Sequence, residues 1–200
     1  MNDLQEKVRT YITTLYHENA DPRLIYHNFT HTQQVVLHTE EIMHYYDLAD
    51  RARFIIRTAA WFHDTGHLSG RIRGHEERSV KLMQEFLSAN ACDKETIEQI
   101  AACILATRMP VQPVELAEMI LCDADTYHLG TPEFFTADEQ VKKELLLRES
   151  LIIDQWDRHA LHFLQEHHYF TGYCQNRLNQ GKLHNIALLS AKLNRFDKQQ

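Results

Sequence analysis

The chain has 200 residues, 44% of them hydrophobic and 24% charged, and its formal net charge is −7 at pH 7. This length suits a single domain with a sizeable core, and the acidic balance argues against a dedicated nucleic-acid-binding protein, which usually presents a basic surface. The sequence shows no apolar run of membrane-spanning length and no basic-then-apolar leader, so we expect a soluble, cytoplasmic protein without a membrane partner. The four cysteines form no Cys-x-x-Cys pair, which argues against a zinc knuckle or a disulfide framework.

A low content of chain-breaking residues, six glycines and four prolines, and the lack of a convincing alternating strand pattern predict an all-α fold. We expect a single compact multi-helix bundle over residues 1–200, with its C-terminal helices over about 138–196. Helices are predicted over residues 3–18, 30–46, 50–62, 75–89, 93–107, 114–127, 138–167 and 175–194. Thr30 is the predicted N-cap of the second helix, and residues 138–167 are predicted to form one long helix.

The most informative stretch is the end of the third helix, where an apolar run stops at His63-Asp64-Thr65-Gly66-His67. Gly66 is a natural helix stop, because glycine accepts the left-handed backbone that ends many helices. A carboxylate at the end of a buried helix is costly unless it is paired or holds a metal ion. His63 and His67 are one helical turn apart, so both could face one site.

Two further segments accompany this stretch, Tyr26-His27-Asn28-Phe29-Thr30-His31 upstream and Leu121-Cys122-Asp123-Ala124-Asp125 downstream. A histidine, then His-Asp, then a distant aspartate is the ligand order of the HD superfamily of metal-dependent phosphohydrolases, which the sequence resembles over about residues 20–130. The first two segments also resemble those of the cyclic-nucleotide phosphodiesterases, a branch of that superfamily. The overall layout is similar to a group of small predicted HD phosphohydrolases about as long as this chain, through features that include Glu76-Glu77-Arg78-Ser79, Thr107 and Leu129-Gly130.

The resemblance implies a metal site built from His31, His63, Asp64 and an aspartate of the downstream segment. The family pattern is an Ala-Asp dipeptide, which favours Asp125, and Asp123 is a close rival. Two imidazoles and two carboxylates suit manganese, iron, cobalt, nickel or zinc better than magnesium. Such a set also leaves coordination positions open for water and substrate.

The same resemblance suggests catalytic roles for His27 and His67. His27 matches the general acid of the phosphodiesterases, and a histidine suits that role because its ordinary pKa lies near neutrality; the alternative is that it caps the loop. His67 matches the last histidine of His-Asp-x-x-His and could hydrogen-bond the reacting water or bind a second metal ion.

A second metal ion would need further ligands or supporting residues, for which His75, Glu76 and Asp123 are the candidates. An acidic residue at position 76 also suits a helix start on dipole grounds. Binuclear HD enzymes usually carry another histidine in the next helix, where this chain has Ala106-Thr107-Arg108, which argues against a full binuclear site. Arg71 and Arg73 lie in the preceding loop and are candidates for binding the substrate phosphate. The alternative is that both are solvated loop charges.

These observations predict a metal-dependent phosphohydrolase that cleaves a phosphomonoester or phosphodiester of a small molecule, with nucleotides as the favoured class. One alternative is an HD-type di-iron oxygenase, against which the missing histidine argues. Another is a non-catalytic nucleotide-sensing module, against which the full ligand set argues. We expect no nucleic-acid partner, and the sequence leaves open whether the protein is a monomer or a homodimer.

Overall fold

The computed structural model describes residues 2–150 and 152–197, and their regular structure is entirely helical, as predicted. The α-helices of this described part are α1 Asn2–Glu18, α2 Phe29–Tyr45, α3 Asp50–Phe62, α4 His75–Ala89, α5 Lys94–Ala106, α6 Leu116–Asp125, α7 Phe134–Glu149, α8 Trp156–Glu166 and α9 Gly172–Asp197. Two short 3-10 helices, Thr65–Leu68 and Tyr127–Gly130, follow α3 and α6. None of these helices is long and apolar enough to span a bilayer.

Helix α3 lies at the centre of the bundle, in contact with α1, α2, α4, α5 and α6. Its inward residues follow the helical period, and Phe54, Ile56, Ala59 and Phe62 are at most 2% exposed. Burial of a large apolar side chain contributes about 1.5–3 kcal/mol to the free energy of unfolding. The core therefore fixes the position of α3, and the C-terminal end of this helix carries the His-Asp pair.

Helix α2 begins one residue earlier than predicted and is capped by Asn28, so the prediction of Thr30 as the N-cap is wrong. The Asn28 side-chain oxygen accepts hydrogen bonds from the backbone amides of Thr30 at 2.9 Å and His31 at 3.2 Å. Asparagine is among the best residues for this position. The cap places His31 in the first turn of α2, where it is buried.

The short turn after α3 packs closely against the start of α4. The Gly66 amide donates a hydrogen bond to Ser79 Oγ at 2.8 Å, and a Cβ atom added at Gly66 would lie 2.0 Å from the carbonyl oxygen of His75. Only a residue without a side chain permits this approach. The contact brings His75 beside the end of α3.

The prediction of one long helix over residues 138–167 is wrong, because the chain reverses between α7 and α8. Ser150 and Gln155 adopt left-handed backbone conformations with φ values of 52° and 56°, which a right-handed helix cannot contain. After the reversal, the Trp156 indole N–H donates to Asp138 Oδ2 at 2.8 Å. The other predicted helices agree with the observed ones to within three residues at each end.

Candidate metal centre

Four side chains from three separate helices converge at the end of α3. His31 Nε2 lies 3.1 Å from Asp125 Oδ1 and 3.3 Å from Asp64 Oδ2. His63 Nε2 lies 3.3 Å from the same oxygen of Asp64 and 3.7 Å from Asp125 Oδ1. The structure therefore brings together the residues of the predicted metal site, with Asp125 in the position of the fourth.

The adjacent residues His63 and Asp64 can face one point because the helix ends between them. His63 has helical backbone angles, whereas Asp64, at φ −106° and ψ 3°, has left the helix. In a continuous helix, neighbouring side chains would point about 100° apart. The Nδ1–H group of His63 donates to the Ala60 carbonyl at 2.8 Å, which directs the lone pair of Nε2 toward the carboxylates, as in metal-binding histidines.

Two atoms of this cluster lack the hydrogen bonds that buried polar atoms normally make. His63 Nε2 and Asp64 Oδ2 are buried and have no hydrogen-bond partner among the described residues, although such atoms are nearly always bonded. Burial alone would lower the pKa of His63, but the charges of Asp64 and Asp125 raise it well above its ordinary value. The cluster thus stabilises a positive charge at its centre, and a divalent cation would satisfy the same lone pairs.

The rival aspartate, Asp123, points away from this cluster. Its carboxylate accepts hydrogen bonds from the Phe170 amide at 2.9 Å, the Thr171 amide at 2.8 Å and the Thr171 hydroxyl at 2.6 Å. Asp123 is fully buried, and its oxygen atoms are engaged with the segment that precedes α9. Its role is therefore to anchor the C-terminal helix.

A second group, formed by Asp64, His67 and His75, adjoins the first. Nε2 of His75 lies 3.4 Å and Nε2 of His67 lies 3.9 Å from Asp64 Oδ1. His75 donates from Nδ1 to the Ile72 carbonyl at 3.0 Å, so its Nε2 is available as a ligand. Glu76 lies beside His75, at 3.5 Å, but belongs to neither of these two groups of described residues.

His67 is held differently from His75. Arg148 Nη1 donates to His67 Nδ1 at 2.8 Å, and burial lowers the pKa of His67 well below its ordinary value. The neutral ring must therefore carry its proton on Nε2, which makes this atom a hydrogen-bond donor rather than a ligand. The ring of His67 stacks between those of His27 and His75, at centroid distances of 4.1 and 3.9 Å.

His27 is oriented by Glu144 of α7. The Nδ1–H group of His27 donates to Glu144 Oε1 at 2.8 Å, and Glu144 Oε2 accepts the backbone amides of Tyr26 and His27 at 2.8 and 3.0 Å. Burial would raise the pKa of Glu144, but His27, the Tyr26 amide and Arg148 outweigh it and lower the pKa to about 2. A charged Glu144 therefore fixes the ring of His27 and leaves Nε2 for a substrate.

Glu144 and Arg148 were not predicted as site residues from the sequence. In the structure their side chains are nearly inaccessible to solvent, at 1% and 6% exposure. They are four residues apart on α7 and form an ion pair with a 2.8 Å contact. Such pairs are common on solvated helix faces, and no recognisable motif surrounds this one, so the pair alone does not indicate a buried position. The sequence does carry one signal of burial, because the apolar residues Ala137, Val141 and Leu145 recur at helical spacing on the same side of the helix.

A cleft of about 650 Å³ opens onto the cluster, and Arg73 and Arg108 both contribute to its walls together with His27, Asp64 and Asp125. Arg71 does not line this cleft and is exposed. A smaller cavity of about 350 Å³ reaches His31 and Asp125 from the other side. The structure thus places Arg73 beside the cluster and adds Arg108, which the sequence did not single out.

A comparison with protein families matches the HD domain to residues 28–130, just over half of the chain. The matched segment contains His31, His63, Asp64 and Asp125, whereas His27, Glu144 and Arg148 lie outside it. Neither a curated protein nor a solved structure matches the chain with significant similarity. HD domains generally bind divalent metals, and the family consists mostly of metal-dependent phosphohydrolases. The chain belongs to the HD domain family.

Proposed function

We propose that the protein is a metal-dependent phosphohydrolase that acts on a small phosphorylated molecule. The observation that carries this proposal is the convergence of His31, His63, Asp64 and Asp125 beside a cleft with two arginines. Within this cluster, His63 Nε2 and Asp64 Oδ2 are buried without a hydrogen-bond partner among the described residues. The four residues would hold one ion of manganese, iron, cobalt, nickel or zinc, which suit mixed imidazole and carboxylate ligands better than magnesium does. Such an ion lowers the pKa of water and neutralises charge on phosphoryl oxygens.

His27 is the proposed general acid. Glu144 holds its Nδ1–H group, so a proton on Nε2 can pass to the leaving oxygen of the ester. A positioned acid of this kind contributes about 10²–10⁴-fold to the rate.

His67, Arg73 and Arg108 are the proposed groups that orient the water and bind the phosphate. His67 donates from Nε2 because Arg148 occupies Nδ1, and this buried N–H group can orient the attacking water or a phosphoryl oxygen. Arg73 and Arg108 line the cleft and can bind the phosphate through paired hydrogen bonds. The family resemblance makes nucleotides the first class of substrate to test.

The proposal is tested by counting the metal ions of the purified protein and then measuring phosphate release. Nucleotides and simple phosphoesters are supplied with manganese, nickel, cobalt or magnesium before and after treatment with a chelator. We expect hydrolysis that is lost on chelation and restored by a transition-metal ion. Tight nucleotide binding without product under any of these metals would contradict hydrolysis and indicate a sensing module.

A di-iron oxygenase is the second candidate, because Asp64, His67 and His75 form a second potential metal group. The hydrogen bond from Arg148 to His67 argues against it, since a protonated Nε2 cannot bind iron. Elemental analysis separates the two cases, because an oxygenase of this kind would carry two irons per chain.

A further inference from the structure

An apolar cavity of about 560 Å³ lies between α7 and α8. Its walls include Val141 and Leu145 of α7 and Trp156 and Phe163 of α8, together with Ile153 from the connection between these helices. We call this cavity the apolar chamber. Cavities that bind small molecules usually measure about 300–1,000 Å³ and are lined mainly by hydrophobic and aromatic side chains, so the chamber has the size and lining of a ligand site.

The apolar chamber adjoins the cleft over the candidate metal centre. Val141, Phe163 and His128 line both spaces, and a molecule that extends from the cleft into the chamber would pass these residues. His128 also borders the smaller cavity that reaches His31 and Asp125. The chamber therefore begins beside the place where the phosphate is expected to bind.

The lining of the chamber selects the chemistry of an occupant. Among the described residues, no lysine or arginine contributes to it, and its polar side chains are His128, His159 and Asp138, whose carboxylate accepts the indole N–H group of Trp156 at 2.8 Å. A phosphate would meet no lysine or arginine there and would be repelled by the carboxylate, and a strongly polar group would lose more hydrogen bonds to water than these few side chains replace. An alkyl or aryl group would fill space in which the wall atoms otherwise lack contacts.

We propose that the apolar chamber receives the apolar portion of the substrate, an alkyl or aryl group joined to the phosphate through the ester oxygen. This inference rests on the proposed phosphohydrolase function and narrows its substrate class. Phosphoesters of apolar alcohols then rank above nucleotides, whose bases carry several hydrogen-bonding groups along their edges.

Hydrolysis of n-alkyl phosphates of increasing chain length tests the inference. Transfer of a methylene group from water to an apolar site corresponds to about a fourfold gain in affinity, so kcat/KM should rise by about that factor per carbon until the chamber is filled. Equal kcat/KM values along the series, with phosphate released from every member, would overturn the inference and leave the proposed function intact. Release of no phosphate from any ester, with any metal, would instead refute the proposed function.

Two variants test whether the dependence of kcat/KM on chain length arises in the apolar chamber. Phe163→Ala removes a wall of the chamber at a side chain that is 37% exposed, and Leu188→Ala is a matched truncation at 46% exposure on α9. The first variant should flatten the dependence on chain length, and the second should leave it unchanged. Equal slopes in the wild type and the Phe163→Ala protein would contradict the assignment of the chamber.

Binding can also be followed without turnover. The chain has two tryptophans, so Trp61→Phe leaves Trp156 as the single tryptophan, whose emission can be excited selectively over that of the tyrosines. Addition of 1-hexanol, the alcohol part of hexyl phosphate, should change its fluorescence with a saturable dependence, and ethanol at equal concentration should not. A response that is identical for the two alcohols would overturn the proposed occupancy.

Discussion

Arg148 donates a hydrogen bond from Nη1 to Nδ1 of His67 at 2.8 Å, and this contact determines which nitrogen of the imidazole carries its proton. A guanidinium group has no acceptor, so Nδ1 must accept and Nε2 must bear the hydrogen. Nε2 of His67, which lies 3.9 Å from Asp64 Oδ1, is thereby a hydrogen-bond donor, although its sequence position equally suggested a ligand for a second metal ion. The helix that supplies Arg148 also supplies Glu144, so α7 positions both proposed catalytic histidines.

Replacement of Arg148 by Gln should lower kcat by about 10–100-fold, by analogy with the loss found when the hydrogen-bond partners of metal-binding histidines are removed. The reason is that His67 can then place its proton on either nitrogen. Steady-state kinetics and metal content measured together test this prediction, and metal content should stay unchanged. Arg177→Gln removes an exposed arginine whose contacts include Glu41 and Tyr127 and serves as the control. An unaltered kcat in the Arg148 variant would show that the tautomer of His67 is irrelevant to turnover.

Glu144 should make the stability of the protein depend on pH in a defined window. The pKa of Glu144 falls from an ordinary 4.5 to about 2 in the folded protein, so the folded state favours the charged form. Its contribution is fully present above about pH 4.5 and is lost as the pH falls toward 2. Glu144→Gln should therefore lower the free energy of unfolding by about 1–3 kcal/mol at pH 7.

Denaturant unfolding of the wild type and the Glu144→Gln protein at several pH values between 7 and 3 checks this prediction. The difference between the two proteins should shrink as the pH falls below about 4.5, because Glu144 then takes up a proton in the unfolded wild type while it stays charged in the folded protein. A difference that stays constant across this range would mean that the charge of Glu144 does not stabilise the fold.

Substitutions of the two aspartates of α6 should have different effects, one on the stability of the fold and the other on metal binding. Asp123→Asn weakens a carboxylate that accepts three hydrogen bonds from residues 170–171, so it should cost about 1–3 kcal/mol of stability and leave metal affinity intact. Asp125→Asn should reduce metal affinity and leave the thermal unfolding temperature of the metal-free protein nearly unchanged. Calorimetric metal titration and thermal denaturation of both variants test this prediction. Loss of metal affinity in Asp123→Asn but not in Asp125→Asn would contradict it.

Gly66→Ala should destabilise the protein by about 1–3 kcal/mol or more, since the new Cβ atom would lie 2.0 Å from the His75 carbonyl oxygen and such overpacking forces a backbone shift. Gly172→Ala is a matched control, because a Cβ atom there meets nothing within 4 Å. Chemical denaturation compares the two. Equal stability of both variants would mean that the close approach of the turn to α4 is not required.

The helices and the candidate metal cluster could be predicted because their signals are local in the sequence. His63 and Asp64 end an apolar helix, and His31 lies in a recognisable segment, so periodicity and motif order were sufficient. The position of α7 over the cleft was not predictable in this way. It depends on left-handed backbone at Ser150 and Gln155, which are neither glycine nor asparagine, and on long-range contacts such as that of Glu144 with His27.

The choice between Asp123 and Asp125 as the metal ligand also depends on long-range contacts. Two residues apart on one helix, they project in different directions, and only the tertiary partners of each decide its role. The sequence preference for Asp125 came from a dipeptide pattern. The engagement of Asp123 by residues 170–171 supplies the physical reason for the placement seen in the structure.

Titration of manganese into the metal-free wild type and into the metal-free Asp64→Ala protein tests the central claim most directly. Asp64 contacts both histidines of the candidate centre, so the wild type should bind one tightly held ion per chain and the variant should bind none, with unchanged helical content by circular dichroism. Equal binding by the two proteins, or no binding by the wild type, would contradict a metal centre formed by His31, His63, Asp64 and Asp125.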